Sequence, residues 1–157
     1  MHQQLHQKNL GKKEFIENLK NLISGERDMT AVLANTAAYL KEVYGWFWIG
    51  FYIVKDDELV LGPFQGSVAC YRIKKGRGVC GTSWQKDETQ VVPDVEEFPG
   101  HIACSSLSKS EIVVPLHDRE GHVCAVLDID SDTLATFGDP EKDLLEAVGQ
   151  VVAEQVF

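Results

Sequence analysis

Three of the four cysteines of this 157-residue chain, Cys70, Cys80 and Cys104, fall within residues 62–115. Glycines, prolines and short turn-forming pieces punctuate this stretch, and such a chain can bring thiols that are distant in sequence together. In a reducing compartment free thiols pack in cores, bind metals or perform redox and nucleophilic chemistry, since permanent structural disulfides are rare there. We therefore look for chemistry in this stretch first.

The residues around two of these thiols favour reactivity. Cys80 is expected just inside a short helix that opens with Gly76-Arg77-Gly78, where the helix N-terminus and the arginine stabilise a thiolate. Cys104 follows Pro99-Gly100-His101 in a segment without periodicity, where exposure and an imidazole have the same effect. Local physics nominates Cys80, but spacing alone does not rank the two.

The remaining two thiols have simpler interpretations. Cys124 lies in the middle of a predicted strand and is interpreted as an inert buried thiol. Cys70 falls late in a strand pattern, so core packing is a fair interpretation, although it shares the loop-rich half of the chain with the reactive candidates.

A zinc site is the competing interpretation of the cysteine-containing stretch. Cys70, Cys80, His101 and Cys104 offer a tetrahedral set of nitrogen and sulfur ligands. No pair among them has the C-x-x-C spacing typical of structural zinc sites. The sequence therefore favours reactive thiols, and we expect neither a metal nor another bound cofactor.

Carboxylates follow a pattern that suits a cationic ligand. Asp128 and Asp130 alternate with aliphatic residues on a predicted strand, so both face the same side of a sheet. A solvent-facing strand end gives the same alternation. Glu111 begins the preceding strand, however, and together the three carboxylates can form an acidic cluster that binds an ammonium group.

Aromatic residues dominate another predicted strand at residues 46–54. Trp48 and Tyr52 share one face of this strand, four residues apart. Such residues usually pack in the core, but they also line ligand cavities.

The elements that position these side chains predict an α+β fold. Two amphipathic helices come first, the second capped by Asp28 and ended by Tyr44-Gly45, and a last helix follows Asp139 as N-cap with Pro140 at its first position. We expect an antiparallel sheet of about six strands, with the N- and C-terminal helices on one face and ligand-covering loops on the other. The predicted strands are 46–54, 58–61, 67–73, 89–92, 111–116 and 122–130, with a short helix at 79–85.

Composition limits the classes of function. The length suits one domain over residues 1–157, with residues 1–9 as a frayed segment. A net charge of −9 disfavours nucleic acid, and Lys74, Lys75 and Arg77 are interpreted as a solvated turn. No signal peptide and no run of eighteen apolar residues is found, so we expect a cytoplasmic protein that does not bind membranes.

Four motifs resemble the free methionine-(R)-sulfoxide reductases, a family of enzymes built on the GAF domain. The resemblance covers the chain from about residue 12. Generic GAF domains lack this series of three cysteines. The motifs are G-P-F-Q-G-x-x-A-C at 62–70, G-x-G-V-C-G-T-x-W at 76–84, V-x-D-V-x-x-F-P-G-H-I-A-C at 92–104 and S-x-S-E-I-V-V-P at 108–115.

The resemblance implies a role for each thiol. Cys104 is the nucleophile that becomes a sulfenic acid, Cys70 is the resolving thiol that forms a disulfide with it, and Cys80 is an auxiliary thiol. This assignment overrides the helix-terminus argument for Cys80. Ser105 stands where family members often carry an acidic residue, and its lack of charge should ease thiolate formation on Cys104.

The resemblance also implies the substrate, the partners and the rest of the site. Glu111, Asp128 and Asp130 would bind the ammonium group of the free amino acid and place a proton donor, while Trp48 and Tyr52 would contact the substrate. Loop N–H groups would bind the substrate carboxylate. Thioredoxin with NADPH would supply electrons, and a homodimer is implied. The alternative is a non-catalytic GAF sensor, which the spaced thiols disfavour.

Overall fold

The computed structural model describes residues 10–101 and 104–157. Its helices are α1 (Lys12–Ile23), α2 (Met29–Tyr44), α3 (Gly78–Lys86) and α4 (Asp139–Val156), with a 3-10 helix at Val95–Glu97. Its strands are β1 (Trp48–Lys55), β2 (Glu58–Gln65), β3 (Arg72–Lys74), β4 (Gln90–Val92), β5 (Ser110–His117) and β6 (Val123–Ser131). The frayed segment predicted at 1–9 lies outside the described residues.

The six strands form one sheet in the order β3-β2-β1-β6-β5-β4, and every neighbouring pair is antiparallel. This confirms the predicted α+β fold. Within the described residues, no helix has the length and apolar character needed to cross a membrane.

One face of the sheet carries the larger hydrophobic core. Alternate residues of β1, such as Ile49 and Phe51, point to this face and pack against α1, α2 and α4. Asp28 caps α2 by accepting a hydrogen bond from the Ala31 N–H at 3.0 Å. The prediction that helices from both chain ends cover one face is thus confirmed.

The opposite face carries a smaller cluster. Trp48 and Tyr52 point here from β1, and Cys80 and Trp84 pack onto the same face from α3. The sequence predicted loops over this face, and the structure adds α3 to them. We call this side of the sheet the site face.

The segment around Cys70 differs from the predicted strand 67–73. Strand β2 runs on past Gly62-Pro63 to Gln65, through a bulge opposite Gly50–Tyr52, and β3 is only three residues long. Residues 66–71 form an irregular connection. The carbonyls of Ser67 and Cys70 in this connection accept hydrogen bonds from side chains of β1, so they are not available for pairing with a neighbouring strand. Cys70 is therefore in a loop, and the strand prediction was wrong.

The start of α4 also differs from prediction. Its N-cap is Gly138 instead of Asp139, so Pro140 is the second helical residue. The carboxylate of Glu141 accepts a hydrogen bond from the Gly138 N–H at 2.8 Å, the half of a capping box that needs no side chain at the N-cap.

Gly50 on β1 is required by the packing of Trp48. A Cβ at this position would lie 2.4 Å from the Phe64 Cβ and 2.7 Å from the Trp48 ring. We therefore expect Gly50→Ala to lower the free energy of unfolding by roughly 1–3 kcal/mol, because the indole and β2 must shift. Denaturant unfolding measures this loss, and Gly11→Ala, with no atom within 4 Å, is the control expected to cost less. Equal costs would contradict the packing explanation.

Candidate active site

The strand register places the predicted acidic residues side by side. Asp130 on β6 lies opposite Trp48 on β1 and opposite Glu111 on β5. Asp128 occupies the next position on the site face, opposite Gly50. Directly paired residues have Cβ atoms about 5 Å apart, so the three carboxyl groups share one patch of the sheet.

A small cavity lies over this patch. Its volume is about 50 Å³. Seven of the eight predicted site residues line it, and the eighth, Cys70, is covalently joined to one of them. The seven are Trp48, Tyr52, Cys80, Cys104, Glu111, Asp128 and Asp130.

A disulfide joins Cys70 to Cys104, with Cα atoms 5.6 Å apart. This is the pair that the resemblance implies. The bond ties residues 66–71 to residues 104–109 beside the cavity, and both cysteines are half-buried. In this oxidised form the two sulfur atoms are not thiolates, so the competing interpretation, a zinc site of cysteines and a histidine, is not available to them.

Two aromatic side chains of β1 hold the loop that carries Cys70. The Tyr52 hydroxyl donates a hydrogen bond to the Cys70 carbonyl at 2.9 Å, and Trp48 Nε1 donates to the Ser67 carbonyl at 2.9 Å. Phe64 stacks on the Trp48 indole at 5.1 Å between ring centroids. Trp48 and Tyr52 thus support the cysteine loop as well as line the cavity, a role that the sequence did not predict.

The acidic cluster is buried, and two of its carboxylate oxygens lack partners. Glu111 and Asp128 are 6% and 5% exposed. The Oδ1 atoms of Asp128 and Asp130 are buried without a hydrogen-bond partner among the described residues. Unpaired buried carboxylate oxygens are costly, so this floor is suited to a ligand that donates hydrogen bonds or carries positive charge.

Burial also keeps protons on this cluster. Burial, followed by repulsion from Asp128 and Asp130, holds the pKa of Glu111 well above its usual range. Burial, with repulsion from Asp128, does the same to the pKa of Asp130, and burial raises the pKa of Asp128 against hydrogen bonding from Glu111. The cluster therefore retains acidic protons in the absence of a cation.

Cys80 faces the acidic cluster and is not the activated thiol. Its Sγ lies within 4.8 Å of carboxylate oxygens of Glu111 and Asp128. Complete burial, followed by the charge of Asp128, raises the pKa of the Cys80 thiol well above its usual range. The prediction that the helix N-terminus makes Cys80 a thiolate was wrong, because desolvation and carboxylates outweigh the helix dipole. Its auxiliary role stays a prediction.

Ten further residues line the cavity although they were not predicted as site residues, and Arg77, His101, Ser105 and Ser108 are among them. His101 Nε2 lies 4.0 Å from Glu111 Oε1, and burial lowers the pKa of its imidazole, which favours the neutral form. His101 and Ser108 belong to the recognised motifs, so the sequence placed them in the segments around the site. It did not indicate that their side chains face the cavity.

Two other features lie away from this site. An open groove of about 790 Å³ runs between α4 and β5, but its described lining contains no cysteine. Cys124 is half-buried and donates a weak hydrogen bond to the Leu116 carbonyl, and burial raises the pKa of its thiol to about 11. Cys124 is therefore a protonated thiol, consistent with the inert interpretation.

Comparison with known proteins agrees with the fold. A family model described as GAF domain matches residues 28–156. GAF domain-containing protein A of Dictyostelium discoideum is 55% identical over 142 residues, 87% of this chain and 89% of the relative. Free methionine-R-sulfoxide reductase of Escherichia coli (strain K12) is 45% identical over 150 residues, 92% of this chain and 88% of the relative.

A solved structure gives the same result. The X-ray structure of free methionine-R-sulfoxide reductase from Neisseria meningitidis, in complex with its substrate, matches with a TM-score of 0.89 and 50% identity. The match covers 92% of this chain and 87% of that one. The fold is thus that of a GAF domain with a disulfide beside an acidic cavity. The chain belongs to the GAF-domain family of free methionine-R-sulfoxide reductases.

The raised pKa of Glu111 predicts a pH-dependent stability. Between the unfolded and folded pKa values the folded state binds more protons, so the free energy of unfolding falls as pH rises through that window. Glu111→Gln removes this penalty, and we expect its stability relative to the wild type to increase as pH rises above the usual pKa range of a glutamate. Denaturant unfolding of the disulfide form measures the difference. Glu17→Gln, on the exposed side of α1, is the control, and a difference independent of pH would contradict the assignment.

Proposed function

We propose that this protein reduces free methionine-(R)-sulfoxide to methionine, with Cys104 as the nucleophile and Cys70 as the resolving thiol. The observation that carries the proposal is the Cys70–Cys104 disulfide at a cavity with an unpaired acidic floor. The Escherichia coli relative carries the name of this activity, and the Neisseria meningitidis relative was solved with its substrate. We transfer the activity to this chain on those grounds.

The first half of the reaction is an oxygen transfer to sulfur. The thiolate of Cys104 attacks the sulfoxide sulfur while the sulfoxide oxygen takes up a proton. The oxygen passes to Cys104, which becomes a sulfenic acid, and methionine is released. Sulfur of the substrate is reduced by two electrons and sulfur of Cys104 is oxidised by two.

The acidic cluster accounts for both substrate binding and proton supply. The ammonium group of the free amino acid would pair with the unpartnered oxygens of Asp128 and Asp130. Because the pKa of Glu111 is raised, one carboxyl group keeps a proton near neutral pH and can donate it to the sulfoxide oxygen. Trp48 and Tyr52 would contact the remainder of the substrate from β1.

The second half of the reaction forms the observed disulfide. The Cys70 thiol attacks the sulfenic sulfur of Cys104, the S–S bond forms and water leaves. The hydrogen bond from Tyr52 to the Cys70 carbonyl holds the loop in this position. An external dithiol, which we propose to be thioredoxin supplied by NADPH, then returns both cysteines to thiols. No resident cofactor is needed.

The size of the cavity orders these events. Small-molecule pockets usually enclose about 300–1,000 Å³, whereas this cavity has a volume of about 50 Å³. The disulfide form is therefore too closed for an amino acid. Methionine must leave before the disulfide closes, and the disulfide must be reduced before the next substrate enters.

The roles of the cysteines are separable by experiment. Cys104→Ser should abolish reduction of free methionine-(R)-sulfoxide, because the nucleophile is lost. With thioredoxin as the reductant, Cys70→Ser should form about one methionine per protein molecule and then stop turning over, because the sulfenic acid on Cys104 cannot form the disulfide. Rapid-quench measurement of methionine separates the two results.

Cys124→Ser is the matched control, since this thiol lies outside the cavity lining, and it should turn over like the wild type. Normal turnover by Cys104→Ser, with loss in Cys80→Ser, would identify Cys80 as the nucleophile and contradict the proposal.

Recognition of the free ammonium group gives a second prediction. The wild type should use free methionine-(R)-sulfoxide with a kcat/KM about 100-fold or more above that for its N-acetyl derivative, because acetylation removes the charge that pairs with the buried carboxylates. In Asp128→Asn this ratio should collapse, mainly through loss of activity on the free amino acid. Steady-state kinetics with a small dithiol measures both ratios, and an unchanged ratio in Asp128→Asn would argue against an ammonium site there.

A further inference from the structure

Exposed apolar residues lie beside both halves of the disulfide. Val68 and Tyr71, which flank Cys70, are 87% and 79% exposed, and Leu107, three residues after Cys104, is 59% exposed. Large apolar side chains this exposed are rare elsewhere on the described surface, where Leu22 and Leu134 are the other two. Apolar residues that gather at a reactive bond indicate a contact surface for a macromolecule.

Cationic residues also lie in this part of the chain, but carboxylates offset their charge. Residues 66–81 contain four cationic side chains and no carboxylate. Arg72 forms an ion pair with Glu58 at 2.9 Å, and Lys74 and Lys75 line a surface depression together with the carboxylates of residues 56–58. The exposed apolar side chains, and not a cationic patch, therefore distinguish this region.

From these observations we propose that Val68, Tyr71 and Leu107 form a docking surface for a protein dithiol of the thioredoxin class. We call these three residues the disulfide face. The proposal rests on the proposed function, because the disulfide must be reduced in each cycle. The partner it fits has an apolar surface around its reactive thiol, which complements the apolar side chains of this face.

The position of the face also selects which sulfur is attacked. Cys70 lies between two of the exposed apolar residues, so a partner thiolate seated on them reaches the Cys70 sulfur first. Attack forms a mixed disulfide with Cys70, breaks the Cys70–Cys104 bond and releases the Cys104 thiolate, the group needed for the next cycle. The second partner thiol then attacks the mixed disulfide, which leaves Cys70 reduced and the partner oxidised.

The test compares two reductants for the same enzyme. We expect the double variant Tyr71→Ser/Leu107→Ser to lower the kcat/KM for thioredoxin by about tenfold, with NADPH and thioredoxin reductase as the supply of electrons. Turnover supported by dithiothreitol, which needs no docking surface, should stay at the wild-type rate. Leu22→Ser replaces an exposed leucine of α1, on the opposite side of the sheet, and should leave both rates unchanged.

The outcomes separate this proposal from the function on which it rests. If the wild type reduces the sulfoxide with neither reductant, the proposed function fails. If the wild type turns over with both reductants, but the kcat/KM for thioredoxin is the same in the double variant and the wild type, the docking surface is wrong. A parallel loss with dithiothreitol would also overturn it, since that result places the residues in catalysis.

A trapping experiment tests the attacked sulfur directly. Thioredoxin whose second active-site cysteine is replaced by serine cannot complete the exchange and should accumulate as a mixed disulfide. Peptide mass spectrometry of the wild-type complex should locate the bond at Cys70. Attachment at Cys104 would contradict the assigned direction of attack.

Discussion

The site depends on the pairing of β6 between β1 and β5. This register places Asp130 between Trp48 and Glu111 and sets Asp128 one pleat further along the same face. A shift of β6 by one residue would turn both aspartates into the helical core and bring Leu127 and Ile129 to the cavity. The hydrophobic core on the helical face therefore secures the geometry of the acidic floor, since slipping the register would bury two carboxylates among aliphatic side chains.

Electrostatics divides the three clustered thiols into different roles. Cys80 shares the floor with the carboxyl groups, and burial raises the pKa of its thiol. Cys70 and Cys104 belong to segments that cover the cavity and remain half-buried, so they can meet each other and an external dithiol. The acidic floor thus has the chemistry to suit an ammonium ligand, while the disulfide lies in the covering segments.

The aromatic residues of β1 link these two layers. Trp48 packs over Gly50 on the sheet and donates a hydrogen bond to the Ser67 carbonyl in the covering loop. Tyr52 donates a hydrogen bond to the Cys70 carbonyl in the same loop. Movement of the loop breaks hydrogen bonds made by residues that also line the cavity. The covering loop and the wall of the cavity therefore share the same two side chains.

The sequence by itself determined the fold class, most element positions and the motifs that identify the family. These signals are local: alternation marks β6, helical periodicity marks α1, α2 and α4, and motif spacing marks the cysteines. The tertiary structure decided the reactivity of Cys80, the loop position of Cys70 and the inward orientation of His101 and Ser108. Each depends on groups distant in the chain. For Cys80, desolvation and carboxylate repulsion arise only when β5 and β6 are packed against α3, and the residues next to Cys80 in the sequence do not signal either effect.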